Sequence, residues 1–193
     1  MLKAYFKKQG IEVGCDEAGR GCLAGPVVAA AVILDPRQAI SQLNDSKKMS
    51  ENARHLVRKE LEKKALAWAV GIVSEKEIDD INILNASFLA MHRALDQIKL
   101  TFDRILVDGN CFTPYQNLEH HCIIKGDSLY QSIAAASVFA KTERDAIMQK
   151  LDLEHPEYQW KSNKGYPTKK HRQAIETFGS CAYHRQSFRL LKD

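Results

Sequence analysis

The stretch Gly14-Cys-Asp-Glu-Ala-Gly-Arg-Gly-Cys-Leu-Ala-Gly-Pro26 separates two apolar segments rich in β-branched residues. Ile11 and Val13 precede it, and valines and isoleucine dominate residues 27–33 after it. Apolar, β-branched segments on both sides of a glycine-rich stretch predict two strands joined by a turn.

Two carboxylates, two glycines and an arginine lie close together in this stretch. Asp16 and Glu17 repel each other, so a fold seldom places such a pair at a strand end without a cation nearby. Because neighbouring side chains of a regular strand point to opposite faces, we expect the first strand to end or twist there. Gly19 and Gly21 permit an irregular backbone that a ligand can approach, and Arg20 is a fork-shaped phosphate donor. Together these residues indicate a metal-bound phosphodiester.

The composition indicates one domain that is neither secreted nor inserted in a membrane. A chain of 193 residues is most simply one domain. The longest apolar run, 24–34, is too short for a bilayer, and no apolar segment follows Lys3, Lys7 and Lys8 as a signal peptide requires. The five cysteines are scattered, which favours free thiols in a reducing cytoplasm. The net charge of +4 is weak evidence for a nucleic-acid partner.

Periodicity and capping signals predict the order strand, strand, helix, strand, helices, strand, helix, strand, helix. The predicted segments after the first two strands are helix 51–64 with Ser50 as N-cap, strand 66–73, a capping box at 74–77, helix 83–98, strands 105–107 and 122–124, and helices 128–154 and 169–178. The early strands indicate an antiparallel meander and the later strands parallel additions. We therefore predict an α/β fold with a mixed central sheet flanked by helices.

Further carboxylates follow the later strands. Asp108 ends one short apolar segment, and Asp127 comes soon after another. Ligand sites of open α/β sheets lie at strand ends, so these two could join Asp16 and Glu17 and bind two hard divalent cations. Two such ions about 3.5–4 Å apart activate water in phosphoryl chemistry. Alternatively, Asp108 could begin an ordinary hairpin turn, and Asp127 could be a helix N-cap.

Several motifs in one order resemble those of bacterial ribonuclease HII. They are Asp16-Glu-Ala-Gly-Arg-Gly21, Gly25-Pro-Val-Val28, Asp45-Ser-Lys-Lys48, Val107-Asp-Gly109, Lys125-Gly-Asp127, Ala135-Ala-Ser-Val-Phe-Ala-Lys141, Gly165-Tyr-Pro-Thr168 and His184-Arg-Gln-Ser-Phe188. The resemblance is collinear from about residue 11 to residue 188, and Cys22, where many members carry proline, is one departure from it.

The resemblance implies a ribonuclease H-like fold with a small C-terminal helical appendage. We expect a catalytic domain over 1–155 and a small basic segment over 156–193 packed on it. The implied activity is endonucleolytic cleavage 5′ to a ribonucleotide, in RNA–DNA hybrids and in DNA with embedded ribonucleotides, leaving 3′-hydroxyl and 5′-phosphate ends. We expect a cytoplasmic monomer.

The resemblance also implies roles for the acidic residues. Asp16, Glu17, Asp108 and Asp127 match the family's metal-binding carboxylates, which implies two divalent cations, Mn²⁺ or Mg²⁺. We expect Asp16 to anchor both ions. Glu17 and Asp108 would complete one metal's shell, and Asp127 would hold the other near the attacking water.

Other residues match the family's contacts with the substrate. Gly19, Arg20 and Gly21 match the loop that reads the ribose 2′-hydroxyl, the one group that distinguishes RNA from DNA at a nucleotide. Tyr166 matches the tyrosine that stacks on the sugar just after the RNA–DNA junction. A flat ring there would crowd a 2′-hydroxyl and so select DNA on that side.

Basic residues are further candidates for contact with the nucleic-acid backbone. The resemblance implies Lys47 near the scissile phosphate, and Arg185 with Ser187 at a phosphate further along the DNA. Lys141 could contact a phosphate or extend to solvent. The remaining candidates are residues that could line a groove or form a solvated face, namely Lys161, Lys164, Lys169, Lys170 and Arg172, with the aromatic Trp160 and Tyr166 among them.

Two other functions fit parts of the pattern. Another nuclease of the same fold, such as a junction resolvase, would need the carboxylates but neither the glycine loop nor Tyr166. A catalytically idle nucleic-acid-binding module would need the basic C-terminal segment but not four acids, which repel DNA when no metal is bound.

Overall fold

The computed structural model describes residues 2–191; Met1, Lys192 and Asp193 lie outside them. The strands are β1 (Glu12–Ala18), β2 (Val27–Leu34), β3 (Ala65–Val73), β4 (Arg104–Asp108) and β5 (Glu119–Ile123), and the helices are α1 (Glu51–Lys64), α2 (Glu75–Ile81), α3 (Ile83–Leu95), α4 (Gln131–Glu154), α5 (Trp160–Asn163) and α6 (Lys169–Phe178). Short 3₁₀ turns occupy Ser46–Lys48, Gly126–Ser128 and Pro156–Tyr158. None of the described helices is long and apolar enough to cross a bilayer.

The five strands form one mixed sheet in the order β3-β2-β1-β4-β5. β1, β2 and β3 are antiparallel neighbours, whereas β4 is parallel to β1 and β5 is parallel to β4. The predicted meander with parallel additions is therefore confirmed. The antiparallel strands β1 and β2 are joined by a turn, and β2 and β3 are joined through α1. The parallel strand β4 is reached through a longer connection that contains α2 and α3.

Helices pack on both faces of the sheet. The cluster on one face joins Val13, Cys15 and alternate β2 residues to buried residues of α3. The cluster on the other face joins Ala30 and Val32 to the small residues of α4, as expected for a helix that approaches a sheet closely. Gly14 is part of this contact, because a Cβ there would lie 2.3 Å from the backbone carbon of Ser132.

The capping residues and the helical periodicity of the sequence predict the positions of most helices correctly. Helices 51–64 and 169–178 have the predicted bounds, Ser50 caps α1, and Ser74 and Glu77 form the predicted capping box. The helix predicted from 128 begins later, at Gln131, because residues 126–128 form a separate 3₁₀ turn. Similarly, α3 ends at Leu95 rather than 98.

The helix predicted between the fourth and fifth strands is wrong. Within residues 2–191, a loop over 109–118 makes this parallel connection instead. The loop residues Phe112 and Tyr115 are buried in the cluster that contains α3. The Tyr115 hydroxyl donates to Asp96 at 2.8 Å. The loop therefore covers the sheet as a helix would, with two aromatic anchors.

The segment after α4 packs back onto the turn between β1 and β2. His184 forms a β-bridge with Ala24, and Leu23, Ala24, Met148 and Trp160 share one buried cluster. Trp160 is fully buried, so neither alternative, a nucleic-acid groove or a solvated face, applies to it. Its indole is a core group here, and the basic side chains around it lack that aromatic platform.

Two histidines connect this cluster by hydrogen bonds. Trp160 Nε1 donates to His171 Nε2 at 2.9 Å, so the proton of His171 is on Nδ1, which donates to the Tyr166 carbonyl at 2.9 Å. The Cys181 amide donates to His184 Nδ1 at 3.1 Å. Burial and the neighbouring His171 lower the pKa of His184 to about 4. Both imidazoles are therefore neutral at neutral pH.

We expect Gly14→Ala to lower the free energy of unfolding by about 1–3 kcal/mol, because its methyl group overlaps the backbone of α4. Gly21→Ala is the matched control, since a Cβ at Gly21 meets nothing within 4 Å and neither glycine has a positive φ. Its effect should stay within about 0.5 kcal/mol. Urea titration followed by circular dichroism measures both. Equal effects would contradict the close approach of β1 and α4.

We expect His184→Gln to lose stability relative to wild type at pH 7–8, and this difference to shrink as the pH falls. The unfolded chain takes up a proton near pH 6.5, whereas folded His184 does so only near pH 4, so wild type loses its advantage across this interval. Thermal unfolding at several pH values measures this. A stability difference between His184→Gln and wild type that stays the same from pH 8 to pH 5 would refute a neutral, buried imidazole.

Candidate active site

The parallel pairing of β1 with β4 brings two aspartates together. Cys15 pairs with Val107, so the same register continued by one residue places Asp16 beside Asp108. β1 does not end at Asp16 as predicted, but continues to Ala18 along β2. Asp16 is therefore fixed inside a strand rather than in a turn. Only 3% of it is exposed.

A tight turn adds the third aspartate. Lys125 adopts a left-handed conformation, with φ of 57°, and the Gly126 amide donates to Asp108 Oδ1 at 2.7 Å. A Cβ at Gly126 would lie 2.6 Å from the Cδ1 atom of Ile133, so a larger residue there would displace that side chain of α4. This turn places Asp127 at the end of β4, where it is only 3% exposed.

Asp16, Asp108 and Asp127 form a compact acidic group. Each offers one carboxylate oxygen, and the three oxygens lie within 4.8 Å of one another. Neither alternative interpretation of the later aspartates holds. Asp108 ends a strand with a parallel partner rather than a hairpin, and Tyr130, not Asp127, is the N-cap residue of α4.

Glu17 is not part of this group of three. Strand alternation directs Asp16 and Glu17 away from each other, but Glu17 still borders the cleft beside the acidic group. The Glu17 carboxylate instead lies 3.4 Å from the Arg20 guanidinium. The strand does not end early enough to bring both carboxylates into one group in this structure.

The acidic residues destabilise each other's charged forms. Burial, and then the charges of Glu17 and Asp108, raise the pKa of Asp16 well above its usual value. Burial also raises the pKa of Glu17, and burial with the charge of Asp108 raises that of Asp127. A compact set of buried carboxylate oxygens is the donor set that hard divalent cations prefer, so the residues fit such an ion.

Lys47 is the cationic side chain beside the acidic group. Its Nζ lies 3.5 Å from Asp127 Oδ2. The loop that carries it is anchored at two points: the Lys47 amide donates to Asp45 at 2.9 Å, and the hydroxyls of Ser46 and Ser137 lie 2.6 Å apart. The anchored backbone holds an exposed amine at the edge of the carboxylates.

A cleft of about 280 Å³ opens next to the acidic group. Most of the residues predicted to contact substrate border it. Its lining is Glu17, Ala18, Gly19, Arg20, Gly21, Ser46, Lys47, Ser137, Lys141 and Tyr166. Tyr166 is 41% exposed here. Residues distant in sequence thus converge from β1, the Lys47 loop, α4 and the Tyr166 loop.

The other predicted contacts differ in their surroundings. Lys141 borders the cleft, and its Nζ lies 2.5 Å from Asp145 one helical turn away. Ser187 is exposed, but its hydroxyl donates to Asp79 at 2.6 Å, so an anionic side chain adjoins it. The structure leaves the predicted phosphate contact of Ser187 untested.

The prediction that Arg185 contacts a phosphate of the DNA is wrong for the described structure. Arg185 is fully buried, and all of its guanidinium hydrogen bonds go to the carbonyls of Arg20 and Gly25. Because the guanidinium is enclosed by the protein, it presents no edge at the surface to a phosphate. Sequence similarity identifies such a position but does not show on which side of the surface the side chain lies.

Sequence reasoning missed Arg144, Asp45, Ser46 and Ser137. Arg144 is 1% exposed and lies directly under Gly19. Its signal was a charged residue within the otherwise small and apolar face of α4. Asp45 and Ser46 lie within the motif Asp45-Ser-Lys-Lys48, in which Lys47 is the one residue predicted to contact substrate.

Comparison with known proteins identifies the family. The model of the family described as ribonuclease HII matches residues 13–191. A curated ribonuclease HII from Phocaeicola vulgatus is 59% identical over 99% of this chain and 95% of its own. One from Parabacteroides distasonis is 58% identical over 100% and 97%, respectively. The chain belongs to the ribonuclease HII family.

Solved structures agree on the fold. A ribonuclease H2 from Pyrococcus horikoshii has a TM-score of 0.76, at 24% identity, over 93% of this chain and 94% of its own. The structure described as Bst-RNase HIII in complex with Mn²⁺ has a TM-score of 0.73, at 18% identity, over 93% and 67%. The predicted ribonuclease H-like fold is confirmed.

Membership in the ribonuclease HII family makes this chain a ribonuclease H-type endonuclease that acts on RNA–DNA substrates. It also decides between the functions left open by the sequence. An idle binding module and a junction resolvase are both disfavoured, because the relatives match over the whole chain and not only over its acidic residues.

We expect Asp16→Asn to raise the melting temperature of the metal-free ribonuclease, because it removes a charge from a buried, mutually repelling group. It should also reduce the stabilisation by Mn²⁺, which for wild type amounts to about 2.7 kcal/mol at 100 times the dissociation constant. Thermal unfolding with and without Mn²⁺ measures both effects.

Asp35→Asn provides the opposite control. Hydrogen bonds from Arg37 lower the pKa of Asp35 to about 2, so its loss should destabilise the protein at pH 7 and leave the Mn²⁺ effect unchanged. A metal-free Asp16→Asn protein that melts below wild type, or that keeps the full Mn²⁺ shift, would exclude Asp16 as a strained metal ligand.

Proposed function

We propose that this enzyme hydrolyses the phosphodiester 5′ to a ribonucleotide, in RNA–DNA hybrids and in DNA with embedded ribonucleotides. The products are 3′-hydroxyl and 5′-phosphate ends, and catalysis uses two divalent cations, Mn²⁺ or Mg²⁺. One observation carries this proposal: a buried group of three aspartates lies beside Lys47, which lines one cleft together with the glycine loop and Tyr166.

The cations would be held by Asp16, Asp108 and Asp127, with Glu17 at the border of the cleft as the fourth ligand. When bound, they supply an activated water and neutralise charge that develops on the phosphate. The structure described as Bst-RNase HIII in complex with Mn²⁺ contains this ion in that protein, which supports Mn²⁺ as the proposed ion here. Here the Gly126 amide orients Asp108, and the Glu17 amide donates to Asp16 at 2.7 Å. These hydrogen bonds fix the carboxylates before a cation arrives.

The loop at 19–21 is proposed to read the 2′-hydroxyl. Gly19 has a φ of +101°, and a Cβ there would lie 2.1 Å from the Arg144 side chain, so only glycine is compatible with this backbone. At Gly21 a Cβ would meet nothing within 4 Å, which leaves open space on the cleft side. A ribose can therefore approach the main chain, where polar groups distinguish a hydroxyl from a hydrogen.

Tyr166 is proposed to select deoxyribose on the 3′ side of that ribonucleotide. Its backbone is fixed, since its amide donates to the Asn163 carbonyl and its carbonyl accepts from His171. Burial raises the pKa of its hydroxyl, so the side chain is neutral at physiological pH. A fixed, neutral ring at the mouth of the cleft can stack on a sugar without attracting or repelling its phosphates.

Two lysines at the cleft are proposed to contact phosphates. Lys47 would lie at the scissile phosphate and Lys141 at a neighbouring one, where their charges offset those of the carboxylates and of the DNA. Each now pairs with an aspartate, so contact with a phosphate requires its amine to leave Asp127 or Asp145. Ser187 is proposed to contact a phosphate further along the DNA, which requires its hydroxyl to leave Asp79.

The proposal extends to the form of the enzyme in the cell. We propose a cytoplasmic monomer with a catalytic domain over 1–155 and a small basic segment over 156–193. The described cysteines are all free thiols, two of them buried, which agrees with a reducing compartment.

A DNA duplex with one embedded ribonucleotide tests the proposed reaction. With Mg²⁺ or Mn²⁺, we expect a single cut 5′ to the ribonucleotide, no cut in the all-DNA duplex, and no activity in EDTA. End labelling maps the cut, and ligation after the reaction shows whether the ends are 3′-hydroxyl and 5′-phosphate.

Tyr166→Ala should reduce this cut roughly tenfold or more, because the sugar after the junction loses its contact surface. Tyr5→Ala is the matched control, since Tyr5 is equally exposed, at 40%, and does not border the cleft. Cutting of long hybrids alone, with equal rates for the two variants, would refute junction reading while leaving the nuclease activity in place.

A further inference from the structure

We infer that Arg144 and Arg185 are specificity-determining residues that never touch the substrate: their buried guanidinium groups hold the 19–26 loop and the Tyr166 loop in one fixed arrangement. They are positioning residues. This inference rests on the proposed roles of the two loops and adds what sets their relative position.

Arg144 connects both loops. It extends from α4, and its Nε and Nη2 donate to the carbonyls of Pro26 and Ala24 at 2.9 and 3.0 Å. Its Nη1 donates to the Lys164 carbonyl at 2.7 Å, two residues before Tyr166. One planar group therefore fixes the end of the first loop against the start of the second.

Arg185 holds the first loop from the C-terminal segment. Its Nε and Nη2 both donate to the Gly25 carbonyl, at 3.0 and 2.8 Å, and its Nη1 donates to the Arg20 carbonyl at 3.0 Å. The Arg20 carbonyl lies in the centre of the sequence proposed to read the ribose. Arg185 thus spans the base and the tip of the loop.

Both guanidinium groups are buried without a carboxylate partner. Arg144 is 1% exposed and Arg185 is fully buried, and in the described part of the chain every hydrogen bond of their guanidinium groups goes to a main-chain carbonyl. Burial and the nearby Arg144 charge lower the pKa of Arg185 to about 10, which still leaves it charged at neutral pH. Burying two like charges is costly. Apolar residues at the two positions would avoid this cost, but they would donate no hydrogen bonds to the five carbonyl groups.

The glycines of the two loops match this arrangement. A Cβ at Gly19 would overlap Arg144, and one at Gly165 would lie 2.6 Å from the Ala24 carbonyl. Both have positive φ values, and the Leu23 amide donates to the Gly165 carbonyl at 2.8 Å. The loops are therefore packed against the arginines and against each other, with no space for a shift of either one alone.

Arg144→Lys and Arg185→Lys test the inference, because lysine retains the charge but cannot bridge several carbonyls. Arg104→Lys is the matched control. Arg104 is also buried and donates to the Gln9 carbonyl at 2.7 Å, but it begins β4, at the opposite end of that strand from Asp108. The substrate is a DNA duplex with four consecutive ribonucleotides, which shows where the enzyme cuts as well as how fast.

We expect wild type and Arg104→Lys to cut mainly 5′ to the last ribonucleotide, at the junction. The other two variants should distribute cuts over the four positions and lose about tenfold or more in kcat at that junction, since displacement by about 1 Å can cost a hundredfold. The Mn²⁺-induced rise in melting temperature should be unchanged, because the aspartates lie on other elements. Unchanged cut positions in both variants would overturn the inference.

Amide hydrogen exchange separates this inference from the proposed function. Residues 19–26 should lose protection in both lysine variants, residues 164–166 in Arg144→Lys, and neither segment in Arg104→Lys. If Tyr166→Ala spreads the cuts but neither lysine variant alters exchange or cutting, the inference fails and the proposed function stands. If the lysine variants lose protection but Tyr166→Ala cuts like wild type, the junction role of Tyr166 fails and the clamp stands.

Wild-type exchange decides the matter if the lysine variants do not fold. In increasing urea below the global transition, the two loops should open together, at one free energy, because the same arginine joins them. Opening of 164–166 at a lower free energy than 19–26 would show that they are independent and would overturn the inference.

Discussion

The sheet holds together carboxylates that repel each other, and the candidate active site depends on this constraint. Asp16 and Asp108 are adjacent because β1 and β4 pair in register, and the backbone hydrogen bonds of two buried strands maintain that register. Water is largely excluded, so the repulsion is poorly screened. The folding energy of the sheet therefore sustains an arrangement that is unfavourable until cations arrive.

A second part of the site is held in a different way. The residues proposed to read the substrate lie on loops, whose main-chain carbonyls have no strand partner. Arg144 and Arg185 satisfy these carbonyls from beneath. In the proposed function, Asp16 and Asp108 would hold metal from strands and Asp127 from a turn, whereas the residues that would read the substrate lie on loops supported by buried charge.

Much of this organisation could be predicted from the sequence. Asp16, Asp108 and Asp127 each follow or end an apolar segment, and parallel addition of strands brings such positions to one edge. The positions of side chains relative to the surface were harder to predict. Glu17 lies outside the acidic group because β1 continues for two more residues, and strand length depends on pairing with β2. Arg185 is a predicted phosphate contact and Trp160 a candidate for a groove because charge and aromaticity are visible locally, whereas their burial depends on contacts with residues distant in sequence.

The bond from Arg185 to the Arg20 carbonyl spans 165 positions of the chain. Synthesis proceeds from the N-terminus, so all five strands and α4, with the three aspartates, are made before Arg185. Contacts of such long range also form late in folding, since closing a large loop precedes any gain from it. Under the proposed roles, the order of synthesis therefore separates two parts of the site in time: the aspartates proposed to hold metal are made first, and the loop proposed to read the sugar is fixed only when the final segment closes over the first turn.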